Sequence, residues 1–296
     1  METWALLAVG AAFMQNVRSA LQKTLTGRVS VLGAAYARFI FAAPWAVLLF
    51  IGFSLVRGLG VPDMSASFFL WMPLGGLCQI SATLLLLHLF TLRNFAAGNT
   101  FMKTETVQAV LIGLVLLGDR VSPAAMTGIV VSLVGVLLLS RTSGLAGGIW
   151  SRATGVGLAC GAIFALSGVA YRAAGLALEG DGGSFHHAAF TLACVTVLQT
   201  VVMTLYMRRR SPGEVGNVLG QWRIALPVGV SGMLASFCWF SAFALISAAH
   251  VKAVGQIELL FSYLTSRIVF GEKPGLVETI GMILVAVGIV VLVLNP

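Results

Sequence analysis

The sequence predicts an all-α polytopic membrane protein with ten transmembrane helices arranged as two inverted five-helix repeats. Three observations predict it. Hydrophobic residues make up 58% of the 296-residue chain and charged residues only 9%, with mean hydropathy +0.98, more apolar surface than a soluble domain can bury. A window of about 19 residues finds ten apolar stretches of helix length. The fourth and fifth of these recur as the ninth and tenth.

In order, the stretches cover 3–22, 31–55, 66–90, 96–117, 123–140, 153–173, 185–207, 222–246, 249–270 and 275–294. Their runs of Leu, Val, Ala and Gly lack the polar alternation of a barrel strand and exceed its roughly ten residues. The first begins at Trp4 after Glu2, without a basic leader or a small-residue cleavage site, and is expected to be a span rather than a cleaved signal. It carries a polar patch, QNVRS, over Gln15–Ser19. The second carries Arg38–Phe39, the third Trp71 and His88, and the eighth Trp239 and Phe240. His88 reads as a hydrogen-bonded core histidine, the aromatics as packing or interface residues, and His186 and His187 as loop residues.

Connections are short, the longest being Arg208–Gln221 and Arg141–Arg152, so no soluble domain is expected to hang from the bundle. The net charge of +8 would suggest nucleic acid in a soluble protein. Here the basic residues gather at span ends, where they set orientation and meet anionic lipid headgroups, and no nucleic-acid partner is expected. Cys78, Cys160, Cys194 and Cys238 fall within spans and read as small packing residues, not disulfide or metal partners.

Laid over itself at an offset of 153, the chain pairs Glu105 with Glu258, Gly118 with Gly271, Asp119 with Glu272, Arg120 with Lys273, Gly128 with Gly281 and Gly135 with Gly288. Six chemically like pairs on one ungapped register point to internal duplication. A unit of five spans enters the membrane from opposite sides in its two copies, which makes the repeats, 3–140 and 153–294, inverted. That architecture is associated with alternating access, with the site near the midplane between the repeats. The glycine pairs, spaced by seven residues, read as intramolecular packing seams.

The GDR of Gly118–Arg120 and the GEK of Gly271–Lys273, each followed by a glycine-spaced span, together with Arg38–Phe39, carry a resemblance. The chain resembles the drug/metabolite transporter superfamily, in particular its two-domain EamA-type branch, over nearly its whole length. The resemblance implies a proton- or gradient-driven carrier of small metabolites, often an exporter, with a central cavity lined by both repeats.

Glu105 stands about 21 Å from the Gly-Asp end of its helix and roughly 13 Å from the other end, close to the middle of a roughly 30 Å hydrocarbon core. The repeat puts Glu258 at the matching depth. An isolated charge there costs on the order of 3 kcal/mol, so each glutamate needs a partner, a wet cavity or the other. Lys103 and Gln108 lie near the first, and Lys252, Gln256, Ser262 and Thr265 near the second. Glu258, Ser262 and Thr265 share one helical face, as do Phe101, Glu105 and Gln108. Arg18 and Asn16 of the first span complete the candidate substrate-binding or coupling set. Two readings stand for the glutamates. They are salt-bridge partners of Arg18, Arg38, Lys103 or Lys252 that fix packing, or they are carboxylates that pick up and release a proton as each side of the membrane reaches them.

The sequence contains no GxxxxGK[ST], GxSxG or HExxH and no paired Cys/His metal spacing. Neither an enzyme nor a bound cofactor or metal is therefore expected. The expected function is secondary active transport, proton-coupled and outward, of a small polar or zwitterionic metabolite such as an amino acid or amine. The alternatives are an exchanger for an organic anion or phosphorylated metabolite and, from another class, an intramembrane enzyme. The expected partners are a small-molecule substrate, protons and membrane lipid, in a multi-pass protein of the plasma membrane working as a monomer. Orientation rests on two warrants that disagree. Loops after odd-numbered spans carry ten Lys or Arg and those after even-numbered spans three, Arg57, Arg120 and Arg172, which places the termini outside. Relatives of the resembled type usually keep both termini in the cytoplasm.

Overall fold

A computed structural model describes residues 2–92, 105, 108, 122–141, 152–270 and 276–294. Phe101, Lys103, the GDR and GEK segments and the side chain of Arg267 lie outside the described residues. Apart from one two-residue ladder, the described elements are helices: α1 (Thr3–Thr26), α2 (Val31–Ile40), α3 (Ala43–Arg57), α4 (Phe68–Leu92), α5 (Pro123–Arg141), α6 (Arg152–Leu176), α7 (Gly183–Arg210), α8 (Glu214–Gly220), α9 (Trp222–Leu245), α10 (Ala248–Val254), α11 (Glu258–Phe270) and α12 (Leu276–Leu294). Glu105 and Gln108 are also helical.

Among the described residues, Val31–Arg57, Phe68–His88, Gly155–Leu176, Gly183–Arg210 and Trp222–Leu245 are long and apolar enough to cross a membrane, and Pro123–Gly135 and Thr279–Val291 are shorter apolar helices. The chain is thus an all-α multi-pass membrane protein. Helix α1 does not reach that apolarity, because Gln15, Asn16, Arg18, Gln22 and Lys23 dilute its second half. Three of these, Asn16, Arg18 and Gln22, are buried inside the protein.

Local signals explain several helix ends. Ser30 caps α2, its hydroxyl accepting from the Gly33 amide at 3.0 Å. Gly58 ends α3 in the left-handed region at φ 64°, and the Leu59 amide reaches back to the Ser54 carbonyl at 2.9 Å. The second apolar stretch is one run in sequence but two helices, turning at Phe41–Ala42. There α9 passes so closely that a Cβ on Gly229 would lie 2.8 Å from the Ala42 nitrogen, a distance only glycine allows.

Four antiparallel pairings build the bundle. Helix α1 runs against α9, with Gly10 facing Cys238 and Arg18 facing Gly232. Helix α4 runs against α6, where Ser167 donates to the Gly75 carbonyl at 3.1 Å and the Cys160 thiol to the Ala82 carbonyl at 3.3 Å. The α2–α3 run lies against α7, with Tyr36 meeting Thr204 at 2.8 Å near one end. At the other end Phe50 meets Phe190, with ring centroids 5.1 Å apart. Finally α5 pairs with α12 through glycines: a Cβ on Gly135 would lie 2.7 Å from the Gly281 carbonyl, and one on Gly288 would lie 2.7 Å from the Gly128 carbonyl. Adding 153 to one half and subtracting it from the other turns the first contact into the second. The seam joins two helices of the same chain.

Connections meet in two sets, at opposite ends of the Val31–Arg57 run. At one end the Ser30 amide donates to Glu214 at 2.7 Å and Arg28 to Gln221 at 3.3 Å. At the other, Asp63–Met64 (β1) pairs antiparallel with Leu178–Glu179 (β2).

Five sequence readings need correction. His186 and His187 are not loop residues. They lie in the first turn of α7, and His186 is buried, 3.0 Å from the Ser54 hydroxyl. The stretch Arg208–Gln221 is not an open loop, because α7 runs to Arg210 and α8 folds its Val218 into the core. Arg172 is not a loop cation. It donates to the Phe243 and Ile246 carbonyls at 3.1 and 2.7 Å, satisfying the open end of α9. His88 is exposed rather than buried in the core. The ninth apolar stretch is not one helix: a single 3-10 turn, Gly255–Ile257, interrupts it.

Candidate functional site

The interruption at Gly255–Ile257 positions the site. Gly255 lies under the Trp239 ring so tightly that no side chain fits. Trp239 is held in turn by its indole N–H, which donates to the Gln15 side chain at 3.1 Å. The turn carries the chain past this ring, with Lys252 on the α10 side and Glu258 at the first position of α11. Breaks of this kind place polar backbone and charge at membrane depth where they face protein or a cavity rather than lipid.

Between α1, α2, α4, α6, α9 and this broken segment lies a small cavity of about 40 Å³, room for a few water molecules. Gln15, Arg18, Arg38, Glu105, Lys252 and Glu258 line it with Gln79, Tyr171, Trp239 and Phe240. Four pairs of lining residues stand 153 positions apart: Gln15 and Gly168, Arg18 and Tyr171, Leu86 and Trp239, Glu105 and Glu258. Of these four pairs, only the glutamates share a residue type.

The two glutamates have different surroundings. Glu105 is 6% exposed and faces the Lys252 ammonium, Nζ–Oε1 3.6 Å. That ammonium also stands 4.8 Å from the centre of the Trp239 ring, a cation–π contact that strengthens where water is scarce. Glu258, 5% exposed, accepts a hydrogen bond from the Gln15 amide at 2.7 Å. Gln79 accepts from the Tyr171 hydroxyl at 3.0 Å and from Gln199 at 2.9 Å, so the wall opposite is a fixed hydrogen-bonded group.

The candidate residues divide. Arg18, Glu105, Lys252 and Glu258 come together around the cavity. Asn16 and Ser262 stand beside it and bond each other at 2.8 Å, while Asn16 also donates to Thr265 at 3.0 Å. The face shared by Glu258, Ser262 and Thr265 thus packs on α1, and only its first member reaches the cavity. Gln256 is buried and turns back toward the Lys252 carbonyl at 3.4 Å, and Gln108 is half-buried. Neither lines the cavity. Trp239 and Phe240 do line it, whereas Trp71 packs in a separate cluster with Phe68 and Phe190. Sequence reasoning left Gln15, Arg38, Gln79 and Tyr171 out of the site. Polar residues inside apolar spans were the available signal, but span membership does not say which face they occupy.

Similarity to known proteins agrees with this architecture. Residues 153–294 match the model of the EamA-like transporter family. Among curated proteins no match is found. One solved crystal structure aligns over 98% of this chain and 96% of its own, with TM-score 0.74 and 18% sequence identity, a likeness of fold. The chain is an all-α multi-pass membrane protein whose residues 153–294 match the EamA-like transporter family, of the drug/metabolite transporter superfamily, and that match implies a membrane transporter or permease.

Proposed function

We propose that the protein is a ten-span secondary carrier of a small polar or zwitterionic metabolite, such as an amino acid or amine. It exports this substrate across the plasma membrane, using the proton gradient, as a monomer. Its two inverted repeats are 3–140 and 153–294, a reading supported by the antiparallel helix pairs and by the glycine contacts exchanged on the 153 offset. The observation that carries the proposal is the convergence of Glu105 and Glu258, equivalent in the repeat, on one buried cavity. Carboxylates kept at membrane depth are costly and mark ion or proton paths. The small cavity suits an occluded carrier, which enlarges toward one side and then the other by rocking of the repeats.

The different partners of the glutamates suggest separate roles. Glu105 stands 3.6 Å from the Lys252 ammonium, and Glu258 accepts a hydrogen bond from the Gln15 amide. We assign the structural pairing to Glu105 and the coupling role to Glu258. The test is counterflow in proteoliposomes with Glu105→Gln and Glu258→Gln. Glu258→Gln is expected to keep exchange but lose accumulation driven by a pH gradient, and full gradient-driven accumulation in both variants overturns the coupling role.

A second reading, exchange of an organic anion or phosphorylated metabolite, is favoured by Arg18, Arg38 and Lys252, all lining the cavity. Unchanged accumulation after an ionophore collapses the pH gradient would favour it.

A further inference from the structure

We propose that Gln199, which does not reach the cavity, is a positioning residue that fixes the direction of a hydrogen-bond chain, so that the cavity wall at Gln79 offers a donor and not an acceptor. This rests on the carrier reading above and adds to it a residue outside the cavity. Gln199 belongs to α7 and is completely buried. Its approach to α4 depends on two adjacent glycines. A Cβ on Gly75 would lie 2.7 Å from the Tyr171 ring, and one on Gly76 would lie 2.8 Å from Val195 Cγ2. With no side chains there, α6 and α7 come close enough for Tyr171 and Gln199 to meet Gln79, about one turn further along α4.

The direction of the chain follows from one backbone group. The Gln199 amide group lies 3.0 Å from the Gly76 carbonyl, and a carbonyl can only accept. The atom facing it is therefore the Gln199 nitrogen. The same NH2 stands 2.9 Å from the Gln79 side chain, to which it gives its second hydrogen. The Gln79 atom there is then its oxygen, which also takes the Tyr171 hydroxyl hydrogen at 3.0 Å. Turning Gln199 over would set its oxygen against the Gly76 carbonyl and bury an NH2 with two unmet hydrogens. As it stands, only the Gln199 oxygen lacks a partner among the described residues, the smaller cost.

Gln79 lines the cavity, and both partners of its oxygen come from α6 and α7. Its NH2 is the end that remains for the cavity, and no described hydrogen bond uses it. Alone, the Gln79 side chain could present either end, because the two ends of an amide are nearly alike in shape. Gln199 removes that choice. A molecule in the cavity then meets Gln79 with an accepting atom.

The full-length protein tests this in two ways. In detergent, thermal unfolding is compared for Gln79→Glu and Gln199→Glu. Gln79→Glu keeps the oxygen that Tyr171 and Gln199 use and changes only the cavity-facing NH2, so its midpoint should stay nearer the parent. Gln199→Glu sets carboxylate oxygens against the Gly76 carbonyl and the Gln79 oxygen, and should lose more. The opposite ranking, or a Gln79→Glu that does not fold, overturns the assigned direction.

In proteoliposomes, counterflow of the twenty standard L-amino acids selects the one exchanged fastest, whose KM and maximal rate are then measured. Gln79→Met and Gln199→Met should each raise KM by about two- to tenfold, the loss of one neutral hydrogen bond, with the maximal rate little changed. A positioning residue acts only through its target, so the double variant should show the KM of Gln79→Met alone. If Gln199→Met fails to fold, Gln199→His takes its place, keeping one N–H for the Gly76 carbonyl and none for Gln79. KM effects that multiply in the double variant, or a Gln199 variant that lowers only the maximal rate, assign Gln199 to packing and overturn the proposal. If none of the twenty exchanges, the carrier reading fails for that class, while the ranking of the two glutamate variants still decides the direction of the chain.

Discussion

Lys252, beside the break in the ninth apolar stretch, pairs with Glu105 of the other half of the chain across 3.6 Å, and both side chains are about nine-tenths buried. Their charges neutralise each other where neither could stand alone. Removing one partner of a buried pair costs about 3–5 kcal/mol, while replacing both with apolar or neutral groups is often close to neutral. Lys252→Met and Glu105→Gln are each expected to lower the thermal unfolding midpoint, and the double variant is expected to recover most of that loss. A double variant as unstable as the sum of its singles would show that the two residues are not coupled.

The glycine seam gives a second prediction. A methyl at Gly135 would press on the Gly281 carbonyl and the Val285 nitrogen at 2.7 and 2.8 Å, and one at Gly288 on the Gly128 carbonyl at 2.7 Å. These neighbours are backbone and cannot rotate aside. Gly135→Ala and Gly288→Ala should each destabilise the protein by about 1–3 kcal/mol. Gly155→Ala, where nothing stands within 4 Å, should be neutral or raise stability by up to about 1 kcal/mol. Thermal melts of the three variants check the contrast, and equal melts would remove the seam.

Glu214 links pH to the stability of one membrane face. Hydrogen bonds from Ser30, followed by one from Asn217, hold its carboxyl below the ordinary value of 4.5. A carboxyl whose folded pKa is depressed contributes stability that is complete above its unfolded pKa and is lost as pH falls through the folded one. Glu214→Gln is therefore expected to be less stable than the parent at pH 7. The difference should shrink as pH falls below the usual carboxylate range. A gap that stays constant into acid would show that the charge contributes nothing.

Orientation in the membrane follows from charge. The connections after the first and seventh spans meet through Ser30, Glu214, Arg28 and Gln221, and the sequence places ten cations in the connections after odd-numbered spans. The opposite side loses one of its three cations to the end of α9, because Arg172 is spent on carbonyls. The positive-inside rule then puts the odd connections in the cytoplasm and the carboxy terminus outside. A carboxy-terminal alkaline phosphatase fusion should be active in intact cells and a fluorescent protein fusion dark. The reverse pattern would show that the charge bias does not set topology here.

Sequence alone determined what depends on composition and spacing. Apolar length gave helices and a membrane, because backbone groups in lipid must be satisfied within each helix. The 153-residue register placed Glu105 opposite Glu258 and Gly128–Gly135 opposite Gly281–Gly288 before any contact was known. Only the tertiary structure decided which faces met. It is Lys252 and not Arg18 that stands 3.6 Å from Glu105, three residues before the 3-10 turn that Gly255 makes under Trp239. Arg38 entered the cavity and Arg172 became a helix cap because of helices nearly two hundred and about seventy residues further along the chain. Periodicity reports that a side chain is turned inward. It carries no information about the partner, because two packed helices are joined by distance in space and not by spacing along the chain.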